Sequence, residues 1–192
     1  MDSKARLFVG GGQAYYGPTA ERDKAVVKSL AKILASMVGD TVEVVTGGMP
    51  GIPDDFAAAW TAAGGSRVLC VVSSEHEAEF RARNLPYACV VAGKNQEARR
   101  LAVTRLEGLR AALFVQGGKY STHEMRLLSE RDVPIVAFHG SGGAAGGEQP
   151  YDGWTYKAAP YVAESAIYSR DPNTDPLTCA TGLFCHLMQL LK

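Results

Sequence analysis

The residues best suited to chemistry lie in two glycine-rich stretches, Thr46–Pro53 and Gln116–Glu124, and in the adjacent pair Arg99 and Arg100. The first stretch holds Gly47, Gly48, Met49 and Gly51; the second holds Gly117, Gly118, Lys119, Tyr120, Ser121 and Thr122. Each follows a short apolar run and precedes a segment of helical spacing. Such a loop presents bare backbone N–H groups at a helix N-terminus, where the donors and the helix dipole favour an anion, most often phosphate. Glycine lets the ligand reach the backbone, and the same residue also serves a tight turn. A third cluster, Gly10, Gly11 and Gly12, ends the first apolar run. Ser121 and Thr122 can donate to phosphate or cap the helix, and Lys119 can reach a phosphate or stand in solvent. Arg99 and Arg100 each carry a rigid fork of donors. Neighbours on a helix point apart, so one of the two is expected on a solvated face. Glu124, early in the last of these helices, either faces the ligand or complements the helix dipole.

The elements that must place these residues alternate in type. Short apolar or β-branched runs predict strands at Arg6–Gly10, Thr41–Thr46, Arg67–Ser73, Tyr87–Ala92, Ala111–Val115 and Val133–His139. Helical spacing predicts helices at Thr19–Val38, Asp55–Ala63 with Asp54 as N-cap, Lys94–Gly108, Thr122–Arg131 and Pro176–Leu191. Gly140–Gly153 reads as a mobile, glycine-rich stretch. Alternation of this kind implies right-handed crossovers and a single α/β domain across residues 1–192, with a doubly wound, mostly parallel sheet flanked by helices. Ligands of such sheets bind beyond the carboxyl ends of the strands, which is where all three glycine clusters fall.

Composition narrows the partners. The 192 residues carry 20 basic and 20 acidic side chains, so nothing marks a surface for nucleic acid or anionic membrane, and no apolar stretch is long enough to span a bilayer. Cys70, Cys89, Cys179 and Cys185 form no CxxC, and no signal peptide precedes the first strand. They read as reduced, mostly buried thiols of a cytoplasmic protein. His186 beside Cys185 reads as helix packing, so neither a metal nor a cofactor is expected. No GxGxxG fingerprint and no GK[ST] motif occurs, which speaks against a dinucleotide oxidoreductase, an ATPase or a kinase. Tyr15 and Tyr16 are the aromatic residues best placed to stack on a base. Trp60 and Trp154 read as packing residues, His123 as exposed or peripheral, and Asp54 and Asp55 as caps or ribose ligands.

Two motifs resemble one family. Val45-Thr-Gly-Gly-Met-Pro-Gly-Ile52, with a helix ending Ala62-Ala-Gly-Gly65, is similar to the first glycine motif of the Lonely Guy-like proteins of the SLOG superfamily, formerly called lysine decarboxylase-like. Gln116-Gly-Gly-Lys-Tyr-Ser-Thr-His-Glu124 is similar to their second motif, PGGxGTxxE, and Arg99-Arg100 fall near the family's upstream arginine. The sequence departs at Gln116 (Pro in the family), Tyr120 (Gly) and Ser121 (Thr). The resemblance implies a Rossmann-like, often homodimeric domain that binds a small phosphorylated nucleoside. It further implies cleavage of the N-glycosidic bond of a nucleoside 5′-monophosphate, with Glu124 at the sugar and Arg99 or Arg100 on the phosphate or the leaving base. The family also includes nucleotide sensors and a molybdenum-cofactor carrier, and nucleoside deoxyribosyltransferases have related folds, so the alternatives are binding without turnover and a deoxyribosyltransferase-like enzyme.

Overall fold

The computed structural model describes residues 4–157 and 168–191. β1 (Ala5–Gly11), α1 (Ala20–Val38), β2 (Val42–Thr46), α2 (Ile52–Ala62), β3 (Val68–Val72) and α3 (Glu77–Ala82) form the first half. β4 (Ala88–Val91), α4 (Gln96–Thr104), β5 (Leu109–Val115), α5 (Lys119–Ser129), β6 (Ile135–Phe138) and α6 (Pro176–Leu190) complete it, with one turn of 3-10 helix at His139–Ser141. The six strands are all parallel, in the order β4-β3-β2-β1-β5-β6. The chain winds outward from β1 to β4, then crosses back to place β5 on the other side of β1. That reversal opens a crevice at the carboxyl ends of β1 and β5. Among the described residues no helix is long and apolar enough to cross a membrane.

Strand period explains the two cores. Leu7 and Val9 of β1 point into a cluster with Leu30 and Leu34 of α1, Phe56 and Trp60 of α2 and Leu183 of α6. Phe8 points the other way, onto Phe114, Val103 of α4 and Met125 and Leu128 of α5. β5 repeats the alternation, with Leu113 in the first cluster and Phe114 in the second. Burial on both faces is why these strands read as continuous apolar runs. β4 is the exception. It is an edge strand, and Val90 and Val91 are exposed. Cys89 is therefore only half-buried and Cys185 is exposed, which corrects the expectation of mostly buried thiols.

Several boundaries differ from the sequence reading. α2 begins at Ile52 with Gly51 as N-cap and Pro53 in its first turn, so Asp54 is not a cap. Asp54 instead pairs with Arg83, which also donates to the Gly48 carbonyl at 2.7 Å. α3, with six residues and Phe80 as its buried side chain, is too short to show periodicity. Gly140–Gly153 is built, not loose. The N–H groups of Ala144 and Ala145 donate to the carbonyls of Gly117 and Gln116 at 2.8 and 3.0 Å, and Glu148 accepts from the Gly143 N–H at 2.8 Å.

A buried polar network locks these parts together. Asp23, 0% exposed, accepts from Arg22 Nε and Nη2 at 3.0 and 2.8 Å, from Thr19 Oγ1 at 2.9 Å and from Gln116 Nε2 at 2.8 Å. A buried carboxylate is tolerated only when paired this fully. Asp23→Ala would strand the buried Arg22 guanidinium. It is expected to cost about 3–5 kcal/mol in urea unfolding, whereas Arg81→Ala, in an exposed pair with Glu77, should leave the midpoint unmoved.

Candidate functional site

A cleft of about 570 Å³ lies at the carboxyl ends of β1, β2 and β5, within the size range of small-molecule sites. The Gly10–Gly12 cluster lines it as well, and packing alone accounts for two of those residues. A Cβ at Gly10 would stand 2.4 Å from the Phe114 ring, and one at Gly11 would stand 2.5 Å from the Val115 carbonyl. Gly47 and Met49 contribute one wall; Gly118, Tyr120, Ser121 and Glu124 contribute the opposite one. Gly47 is glycine for a local reason, since a Cβ would stand 2.8 Å from Arg99 Nη1.

The charged centre is an ion pair between α4 and α5. Arg99 Nη2 donates to Glu124 Oε1 at 2.5 Å, and Arg99 Nε donates to Gln96 Oε1 at 2.9 Å. Arg99 Nη1 is buried and has no hydrogen-bond partner among the described residues. Arg100 lies 3.9 Å from the same Glu124 oxygen through Nε and places its guanidinium 4.7 Å from the Tyr120 ring centroid. Both arginines line the cleft and both are buried, at 5% and 8% exposure. That corrects the expectation that one of them faces solvent: α4 packs against both α5 and β3, so two adjacent positions on it are covered. Burial pulls the Arg100 guanidinium below its ordinary pKa, with Glu124 opposing the shift.

α5 starts at the second glycine loop, and its N-cap, Gly118, provides no side-chain cap. Gly118 has extended backbone that any residue adopts, and a Cβ there would meet nothing within 4 Å. Its missing side chain therefore leaves open room over the bare N–H groups of the helix. Gly117 is different. Its φ of +93° and the Ser121 hydroxyl, which would stand 2.5 Å from a Cβ, both require glycine. Ser121 Oγ also reaches the Gly11 carbonyl at 3.3 Å, which ties the second glycine loop to the Gly10–Gly12 cluster.

Gln116 explains one departure from the resembling motif. Its φ is +51°, a value closed to proline, whose ring holds φ near about −65°. Its side chain is fully buried and bridges the loops. Oε1 accepts from the Tyr16 N–H at 3.1 Å, and Nε2 donates to the Tyr16 carbonyl at 3.0 Å as well as to Asp23.

Other expected site residues lie elsewhere. Gly48, Gly51, Gly117, Lys119 and Thr122 do not line the cleft. The Thr122 hydroxyl donates to the Gln149 carbonyl at 2.5 Å, and the exposed Lys119 ammonium lies 5.1 Å from the Tyr120 ring centroid. Tyr15 and Tyr16 are not positioned to stack on a ligand there. Tyr16 donates through its hydroxyl to the Gly117 carbonyl at 3.0 Å. Among the described residues the buried Tyr15 hydroxyl has no partner of hydrogen-bonding geometry; burial first, and the Asp55 charge second, push its pKa up. His123 is not exposed: it is buried and stacks parallel on Tyr151 with ring centroids 4.2 Å apart. Burial first, then Arg100, pulls its pKa down. Sequence reasoning missed Gln13, His76 and Gln96, which line the cleft but belong to no motif.

No family model matches the chain, and no curated protein matches it. Solved structures share its fold. The X-ray structure of TM1055, a structural-genomics target, aligns with a TM-score of 0.61 at 19% identity, over 80% of this chain and 86% of that one. Two structures of the molybdenum cofactor carrier protein from Chlamydomonas reinhardtii align with TM-scores of 0.56 and 0.57 at 16% and 17% identity. They span 98% of this chain and 99% and 98% of theirs. The likeness defines the class: a single-domain α/β protein with a Rossmann-like fold.

Two glycines of the cleft should respond in opposite ways to a small side chain. Gly118→Ser is expected to hold stability or raise it by about a few tenths of a kcal/mol, since serine caps the helix. Gly47→Ala should lower stability by about 1 kcal/mol, the low end for overpacking, because the group displaced is the movable end of the Arg99 side chain. Urea unfolding of both variants checks the contrast.

Proposed function

We propose that the cleft binds a nucleoside 5′-monophosphate-like ligand and that the protein cleaves its N-glycosidic bond, as a phosphoribohydrolase of the Lonely Guy-like family that its motifs resemble. The observation that carries this reading is the buried Arg99–Glu124 pair, with one guanidinium nitrogen unpartnered among the described residues, set in the same cleft as the uncapped N-terminus of α5. The helix N–H groups and the open space over Gly118 suit a phosphate. Arg99 Nη1 suits an acceptor further along the ligand, while Nη2 keeps Glu124 in place.

Cleavage forms a bond between a water oxygen and C1′ and breaks the bond from C1′ to the base nitrogen. The electron pair leaves with the base, which takes up a proton as the water gives one up. The sugar carbon is electron-poor as the old bond breaks. A carboxylate beside it stabilises that charge and orients the water. Glu124 is the residue assigned this role.

A second reading, a carrier or sensor of a nucleotide or pterin-type cofactor without turnover, has its own support. Arg99 already occupies one Glu124 oxygen at 2.5 Å, which reduces the charge available to an oxocarbenium-like sugar. The molybdenum cofactor carrier also spans nearly the whole chain. A homodimer is the assembly the family resemblance implies for either reading, and the cysteine pattern favours the cytoplasm; sedimentation of the purified protein tests the assembly.

The decisive assay incubates the protein with a panel of nucleoside monophosphates and measures free base and ribose 5-phosphate. Release by the wild type is expected, with Glu124→Ala lower by roughly 10²–10³-fold. In parallel, nucleotides should raise the melting temperature of the wild type and not of Gly118→Ser. A shift without release selects the carrier reading, and no shift with any phosphorylated ligand defeats both.

A further inference from the structure

A chain of hydrogen bonds leaves the ion pair and ends at a histidine that no motif contains. Arg99 Nε donates to one end of the Gln96 amide at 2.9 Å. A guanidinium has no acceptor, so the atom it meets must be the amide oxygen, and this fixes which way round the amide stands. The Gln96 amino group then faces Met49 Sδ at 3.9 Å and His76 Nδ1 at 3.1 Å. An amino group only donates, so His76 Nδ1 must accept. The Ser73 hydroxyl, 3.0 Å from the same nitrogen, is a second donor to it. The imidazole proton is thereby placed on Nε2. The backbone is pinned as well: the His76 N–H donates to the Ser73 carbonyl at 3.0 Å, and its carbonyl accepts from the Phe80 N–H at 2.9 Å.

His76 lines the cleft, and its Nε2 has no partner among the described residues. Its place in the sheet decides which part of a ligand it can meet. It follows β3, whereas α5 follows β5, and the order β3-β2-β1-β5 separates those strands by three inter-strand steps, about 14 Å at roughly 4.8 Å each. His76 is thus at the end of the cleft remote from the proposed phosphate position, with Arg99 and Glu124 linked to it through Gln96.

We propose that His76 is a specificity-determining residue that donates Nε2–H to an acceptor on the base end of the ligand, such as a ring nitrogen or exocyclic oxygen of a nucleobase. Arg99, through Gln96, keeps it a donor. This rests on the nucleotide reading of the cleft. The role is a hydrogen bond and not a proton transfer, because His76 keeps its proton throughout.

Two measurements test it. Nitrogen NMR of the imidazole, at about pH 8 and above the ordinary histidine pKa, should show His76 protonated at Nε2 and bare at Nδ1. Gln96→Glu, which turns the donor into an acceptor, should put a proton on Nδ1. A wild type protonated at Nδ1 overturns the relay. Calorimetry with nucleoside monophosphates and with ribose 5-phosphate tests recognition. His76→Phe should weaken nucleotide binding roughly 5- to 100-fold and leave ribose 5-phosphate unchanged, and His76→Gln should recover most of the loss. Equal weakening of both ligands, or no weakening, rejects the role while the nucleotide reading stands. If neither ligand binds the wild type, the nucleotide reading fails and the base contact falls with it.

Discussion

Asp23 is the point on which the arrangement of the loops depends. Its carboxylate has no contact with solvent and accepts hydrogen bonds from Arg22, Thr19 and Gln116. Arg22, equally enclosed, spends its other donors on the carbonyls of Ser169, Asp171 and Gly140, at 2.6, 2.9 and 3.0 Å. One ion pair therefore touches the first turn of α1, the second glycine loop, the turn after β6 and the segment ahead of α6. In a low-dielectric interior each of these bonds is directional and costly to lose. The network sets where Gln116 can stand, and Gln116 in turn holds the loop at Tyr16 against the loop at Gly117.

The cleft inherits its geometry from that constraint. The second loop is pinned from behind by Gln116, from above by Ala144 and Ala145, and from the front by Ser121 on Gly11. α5 therefore projects its first turn and Glu124 toward α4 at a set distance. Arg99 crosses the gap beneath Gly47, where no side chain intervenes. The same guanidinium orients Gln96 and, through it, His76. The polar groups of the cleft form one connected chain, so a change at one of them is felt at the others.

Local signals made the frame legible. β1, β2, β3 and β5 announce themselves because burial on both faces leaves no polar alternation, and the glycine loops stand out because their backbone demands are local. α3 was invisible because a six-residue helix with one buried apolar side chain carries no period. His123 reads as exposed or peripheral; it lies outside the cleft but is buried, because Tyr151, from a segment whose composition suggests mobility, stacks on it. Thr122 reads as a phosphate donor or a helix cap, whereas its hydroxyl donates to the Gln149 carbonyl, again from that segment. The choice between Arg99 and Arg100 had no local solution, since it turns on how α4 packs against α5.

What the amino-acid sequence determined alone was the alternation of strand and helix, the parallel sheet that follows from it, and the placing of three glycine clusters along one sheet edge. Those features rest on periodicity and on backbone conformations that only certain residues adopt. Tertiary structure decided which side chains converge. It buried both arginines, paired Arg99 with Glu124, gave Gln116 its bridging role between the loops, and brought His76 and Gln96 into the cleft. Such contacts join residues tens of positions apart. Their geometry follows from how layers pack and which buried donors find acceptors, and neither is written in any window of neighbouring residues.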